Sequence, residues 1–97
     1  MKTLTDLKAE LMKNPTFVRE YEALDPEHQI ARAVIALRLQ QGLSQAALAK
    51  RAGTVQASVS RVERAEVSPS LRLVKRLADA LDAKVEVRLV SKGSGTN

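Results

Sequence analysis

The 97-residue chain has no cysteine, no tryptophan, one phenylalanine, one tyrosine and one histidine. Without cysteine there is no disulfide framework, no thiolate zinc site and no cysteine nucleophile. With only Phe17 and Tyr21 as aromatics, a core must be built from Leu, Val, Ile and Ala, a composition that suits closely packed small helices. No run approaches the roughly 18 apolar residues of a membrane span, and Met1-Lys2-Thr3-Leu4-Thr5-Asp6 lacks the apolar segment of a signal peptide. The expectation is a soluble cytoplasmic protein with no membrane partner. His28 falls in the first turn of a helix, with no second histidine or cysteine for a metal and no triad partner, so it reads as a surface residue. The acidic residues are spread over helix surfaces instead of paired for metal-dependent phosphoryl chemistry. An enzyme, a catalytic residue, a cofactor, a bound metal and a small-molecule ligand are all unexpected.

What is present is a globular composition, 44% hydrophobic. A chain of this length buries roughly 60–68% of its unfolded surface, enough for one core. The charge is unevenly placed. Residues 1–29 hold four basic and six acidic side chains, a net −2, whereas residues 30–97 hold twelve and five, a net +7. A basic excess concentrated in one part of a small domain points to a polyanion, most often nucleic acid.

Each of the three prolines follows a good helix cap, in Asn14-Pro15, Asp25-Pro26 and Ser68-Pro69. The capping side chain accepts from a free first-turn amide, and proline at the first helical position gives up an amide that had no partner. Gly42 and Gly53 mark stops. Between these marks the apolar residues recur at helical spacing. The stripes are Leu4, Leu7, Leu11; Phe17, Tyr21, Leu24; Ile30, Val34, Leu37; Leu48, Ala49, Ala52 after a Ser44 cap; Val55, Val59, Val62 after a Thr54 cap; and Leu71, Val74, Leu77, Ala78, Leu81 after Pro69. The period changes once, in Ala83–Val90, where Val85, Val87 and Leu89 alternate with charged residues. A lone strand cannot satisfy its own backbone groups, so it is expected to pair with its symmetry mate in a two-stranded antiparallel ribbon. The resulting divisions are a helical extension over 1–24, a domain over 25–82, a dimerisation strand over 83–90 and a polar tail over 91–97, expected to be disordered.

The segment from Leu43 to Glu63 reads as two short helices joined at Gly53, with small Ala49 where they cross. If Val55, Val59 and Val62 face inward, then Gln56, Ala57, Ser60, Arg61 and Arg64 face outward. Such a face can enter a major groove, where Gln pairs with adenine, Arg with guanine, and an alanine methyl meets a thymine methyl.

From Ile30 to Leu81 the pattern Arg38, Gln45, Leu48-Ala49, Gly53, Gln56, Val59-Ser60, Val62-Glu63, Pro69-Ser70-Leu71, Leu77-Ala78, Leu81 resembles the helix-turn-helix DNA-binding domains of the phage lambda repressor and Cro (XRE) family. The resemblance implies an all-α fold, a lambda-repressor-like bundle with extra N-terminal helices and one C-terminal β-strand pairing across a dimer. It also implies roles. Gln56, Ala57 and Arg61 would face base edges, and Gln45 would hold a phosphate. Thr54, Ser58 and Ser60 would lie close to the DNA backbone or bases, here assigned with Arg64 to phosphate contacts, although Arg64 is equally placed for a base. Arg38 either pairs with Glu63 or contacts DNA, and the structural pair is the preferred reading. Lys50 and Arg51 either reach phosphates or solvate their helix, and Arg72, Lys75 and Arg76 read as a solvated face.

Over nearly the whole chain, Lys13–Leu24 ahead of the motif and Lys84–Val90 behind it resemble HigA-like antitoxins of type II toxin–antitoxin pairs. That resemblance implies a homodimer on a double-stranded DNA operator that represses its own operon, and a RelE/HigB-like mRNA-cleaving toxin as partner. A stand-alone phage- or host-type repressor is the alternative. Residues 1–24, with Phe17 and Tyr21 as possible toxin contacts, cover either their own domain or a basic partner.

Overall fold

A computed structural model describes residue 13 and residues 15–92, without the side chains of Phe17 and Val18. The stripe at Leu4, Leu7 and Leu11, the Asn14 cap, the Phe17 side chain and tail residues 93–97 lie outside the described residues. Five α-helices are present among those described: α1 (Pro15–Glu22), α2 (Pro26–Gln40), α3 (Gln45–Ala52), α4 (Gln56–Glu63) and α5 (Leu71–Ala80).

The caps explain most of the starts. Asp25 caps α2 by accepting from the His28 amide at 2.9 Å, with Pro26 in the first turn. Ser44 caps α3 by accepting from the Ala47 amide at 3.0 Å. Two expected starts are displaced. The cap of α5 is Ser70, which accepts from the Leu73 amide at 3.1 Å, so Ser68-Pro69 belongs to the connection before the helix. The cap of α4 is Val55 instead of Thr54, and no side chain bonds to the first-turn amides there. Thr54 donates its own amide to the Ala49 carbonyl at 2.9 Å, so it is still closing the previous helix.

The stops repeat one device. Gly42, Gly53, Ala65 and Asp82 follow α2 to α5 with φ of +69°, +71°, +56° and +55°. In each case the next residue's amide reaches back to a last-turn carbonyl, from Leu43 to Arg38, Thr54 to Ala49, Glu66 to Arg61 and Ala83 to Ala78, at 2.8–3.0 Å. These are Schellman closures, which give otherwise orphaned carbonyls a donor. Around Gly53 nothing lies within 4 Å of where a Cβ would stand, so the glycine is demanded by backbone conformation and not by crowding.

The core gathers Val34, Leu37, Leu48, Ala49, Ala52, Val59, Val62, Leu77 and Leu81, with Ile30, Leu43, Leu73, Ala80 and Ala83 packed around it. Helices α2 to α5 all contribute, and α3 and α4 pack on each other through small Ala49 and Ala52. Two stripe positions are corrected. Val55 is 62% exposed, because a cap residue lies off the helical face that Val59 and Val62 share. Leu71 is also exposed, and Leu73 takes its place against the core. No described side chain of α1 belongs to this core. Its Tyr21 hydroxyl donates to the Gln29 carbonyl at 3.2 Å, and burial pushes the phenol's pKa up.

The strand expected over 83–90 is not formed within the chain. These residues carry no regular secondary structure, and Val87, Leu89 and Val90 are exposed. The reason is the one that predicted a partner: a segment of period two has no ladder to join where the elements among the described residues are all helices.

Candidate nucleic-acid interface

Helices α3 and α4 form the two-helix unit read from the sequence, turning at Gly53 in the left-handed conformation (φ 71°, ψ 34°). The depth of α4 is set by Val59 and Val62, both buried, which turns the other side of the helix to solvent. Gln56, Ala57 and Arg61 are exposed on it, Ser58 and Ser60 are half-buried, and Thr54 is half-buried in the turn ahead.

A polar network fixes how this face is presented. Arg38, on α2, places a fork on Glu63 at the end of α4, with Nε–Oε2 2.6 Å and a second guanidinium nitrogen 3.0 Å from Oε1. The remaining arm donates to the Leu43 carbonyl at 2.8 Å. The side chains are only 13% and 5% exposed, and Glu63 holds the guanidinium's pKa above its ordinary value. A charge-assisted, bidentate pair in that environment is geometrically specific. It ties α2, the loop before α3 and the end of α4 into one frame.

The network continues outward. Gln45, the first residue of α3, donates from Nε2 to Glu63 Oε1 at 3.0 Å, and its Oε1 accepts from Gln56 Nε2 at 3.5 Å. The chain of contacts therefore runs from the interior, through Arg38 and Glu63, to a glutamine at the start of each motif helix. Gln56 is the outermost member, joined to Gln45 by a long, exposed contact. Each such restraint lowers the ordering cost of binding. This linkage was not legible from the sequence, where Gln45 and Gln56 are eleven positions apart and carry no sign of mutual contact.

Arg64 is differently placed. Its guanidinium forks onto Glu66, Nε–Oε2 2.8 Å, with both side chains at least half exposed. To touch a phosphate it must leave this pair, which at such exposure costs at most about 1 kcal/mol. Around the site Lys50, Arg51, Arg72, Lys75 and Arg76 are exposed cations. No cluster of metal-ligating side chains is present among the described residues.

The helix-turn-helix family model matches residues 34–87, the stretch that holds the left-handed glycine turn and the partly buried Arg38–Glu63 pair. The chain belongs to the helix-turn-helix family. The match begins midway along α2 and runs into the C-terminal arm, so it takes in the whole buried core from Val34 onward and leaves α1 outside. This helix-turn-helix protein, whose domain is of the DNA-binding XRE type, is also similar to Antitoxin HigA1 of Mycobacterium tuberculosis, strains CDC 1551 and H37Rv, at 37% identity over 76 residues. The alignment takes in 78% of this chain and 51% of each relative, so the chain spans about half the length of the curated relatives it matches. No solved structure matches significantly. Both resemblances named from the sequence, to XRE-type domains and to HigA-like antitoxins, are thereby met.

Proposed function

We propose that this protein is a sequence-specific DNA-binding antitoxin, acting as a dimer that represses its own operon and neutralises a RelE/HigB-like toxin. The observation that carries the DNA-binding part is the exposed face of α4 with Gln56, Ala57 and Arg61 on it, on a helix whose end is tied to α2 by the Arg38–Glu63 pair and whose Gln56 meets Gln45. In this reading Gln56 and Arg61 take hydrogen-bonding base edges in the major groove and Ala57 an apolar one. Gln45, Thr54, Ser58, Ser60 and Arg64 hold the backbone and set the register without reading sequence. The antitoxin part is supported by the similarity to Antitoxin HigA1 and by the acidic balance of the first 29 residues, which suits a basic nuclease surface.

Two measurements test the proposal. Binding to DNA from the protein's own promoter is compared with binding to random DNA of equal length, and preference for the promoter is the expected result. Co-expression with the product of the adjacent reading frame, followed by pull-down, is expected to recover a complex and to relieve growth arrest. Promoter preference without a complex would leave a stand-alone repressor, and equal affinity for both DNAs would overturn the base-reading assignment.

A further inference from the structure

The arm after α5 ends the described chain in an apolar, alternating sequence, Lys84-Val85-Glu86-Val87-Arg88-Leu89-Val90. Val87, Leu89 and Val90 are 68%, 97% and 70% exposed, and Arg88 is exposed as well. Large aliphatic side chains in a row on a small domain mark a surface that another surface covers. A second copy is the occupant that the charges specify, and they also specify its alignment.

We infer that two copies pair antiparallel through this arm with Val87 on the two-fold axis, so that Glu86 of each copy opposes Arg88 of the other. The inference rests on the dimeric reading above and adds its register. Directly opposed residues share one face of an antiparallel pair, so each register assigns every contact. With Val87 facing Val87, one face carries Val85 against Leu89 twice and Val87 against itself. The opposite face carries two Glu86–Arg88 pairs, flanked at each end by Lys84 against Val90, where the lysine stem lies along the valine.

The neighbouring registers fail on the same sequence. A centre at Glu86 opposes the two glutamates and sets Lys84 against Arg88, all like charges. A centre at Arg88 opposes the two arginines. A shift by a single position sets Val87 opposite a charged residue, either Glu86 or Arg88, and sets Leu89 opposite Lys84 or Glu86. A centre at Leu89 pairs Glu86 with Lys92 but sets Arg88 against Val90 and Val87 against Ser91. A centre at Val85 pairs Lys84 with Glu86 favourably, but it requires residues 81 and 82 as strand partners for Leu89 and Arg88. Leu81 is buried in the core, and Asp82 is held at φ +55° by the closure of α5. That register leaves Leu89 uncovered.

The body of the protein accommodates the favoured register. Val85 is half-buried and lines a shallow groove of about 220 Å³ with Lys75, Ala78, Asp79 and Lys84. Leu89 of the second copy, opposite Val85, comes to rest over that groove. The exchange is reciprocal, as a two-fold interface requires.

The absence of cysteine makes the register directly measurable. Directly opposed residues have Cβ atoms about 4.5–5.5 Å apart and diagonal ones roughly 7–8 Å, so only directly opposed thiols approach disulfide geometry. Under mild oxidation Val87→Cys is expected to give a cross-linked dimer. Val85→Cys and Leu89→Cys are expected to stay uncross-linked alone and to cross-link when mixed. Glu86→Arg and Arg88→Glu should each raise the dimer dissociation constant about tenfold, since two attractions become two repulsions. Mixing the two charge variants should restore wild-type affinity as a heterodimer. Self-cross-linking of Val85→Cys, or no restoration on mixing, overturns the register, and a wild-type chain that sediments as a monomer overturns the pairing itself. Promoter binding by the wild type is scored separately, so a failed register with intact DNA recognition is told apart from failure of the functional reading.

Discussion

The helical body and the arm that follows it are made of the same residue types and meet opposite fates. Leu48 in α3 and Val59 in α4 are 0% exposed, whereas Leu89 in the arm is 97% exposed. The difference lies in the period. A helix satisfies its backbone within itself, so an apolar stripe every three to four residues needs only a neighbouring helix to be buried. A segment of period two leaves its amides and carbonyls for another strand, and the helical body of one copy provides none. Burial in the body is therefore an intramolecular matter, and under the pairing proposed above burial in the arm is an intermolecular one.

Leucine truncation tests that contrast most strongly. Leu48→Ala is expected to destabilise the fold by about 2–5 kcal/mol, a large part of the roughly 5–15 kcal/mol that holds a small domain together. Leu89→Ala should change the unfolding of dilute, monomeric protein by no more than about 0.5 kcal/mol. Equal losses in urea denaturation would erase the distinction.

The two arginine–carboxylate forks give a second contrast of the same kind. Glu63→Ala leaves the Arg38 guanidinium in a site where its carboxylate was only 5% exposed, and about 3 kcal/mol of stability should go with it. Arg64→Ala breaks an exposed fork to Glu66 and should cost less than about 1 kcal/mol. Thermal melts of both variants decide whether burial, and not geometry, sets the value of a fork.

On DNA the comparison falls between positions of α3 and α4. Arg61→Ala is expected to cost about 1–3 kcal/mol of operator affinity and to relax preference at one base pair. Gln45→Ala should weaken binding to random DNA as well as to the operator, because a backbone contact carries no sequence information, whereas Arg61→Ala should leave random DNA nearly untouched. Equal losses of both kinds for both variants would remove Arg61 from base reading.

Helix closures supply a smaller effect with a sign. Gly53→Ala puts a Cβ on a residue at φ +71° and should cost about 1 kcal/mol through backbone strain alone. Ala65→Gly, at φ +56°, should stabilise by up to about 1 kcal/mol. The smallest effect is acid dependence at the start of α2. The His28 backbone amide, then its ring, hydrogen-bond to the Asp25 carboxylate and hold its pKa below the usual value. A carboxyl with a depressed native pKa adds stability that is fully present above the unfolded value near 3.8 and lost as pH falls through the native one. Wild type should lose slightly more stability below about pH 4 than Asp25→Asn does, and parallel profiles would show that the carboxylate's charge is irrelevant there.

Much of the body was legible because its signals are local. Asp25 and Ser44 announce helix starts, Gly42 and Gly53 announce stops, and the burial of Val34, Leu37, Leu48, Ala49, Val59 and Val62 follows from spacing. Misreadings fall where a helix end depends on its neighbour. Thr54 looks like a cap, yet its amide is taken by the closure of α3, which moves the start of α4 to Val55 and turns that valine outward. Ser68-Pro69 has the composition of a helix start, but the chain enters α5 two residues later, at Ser70.

The sequence by itself determined the helices, their core faces, the glycine turn of the motif and the change of period at Ala83. All of these arise from propensities and hydrogen bonds within a few residues. The family resemblance already paired Arg38 with Glu63, and only the tertiary structure decided that Gln45 and Gln56 extend that pair into one chain of contacts. Their separations of 11 to 25 positions leave no mark in local spacing. Long polar side chains reach whatever packing brings near, and here the packing of α2 against α4 brings a charge pair to the base of the exposed α4 face.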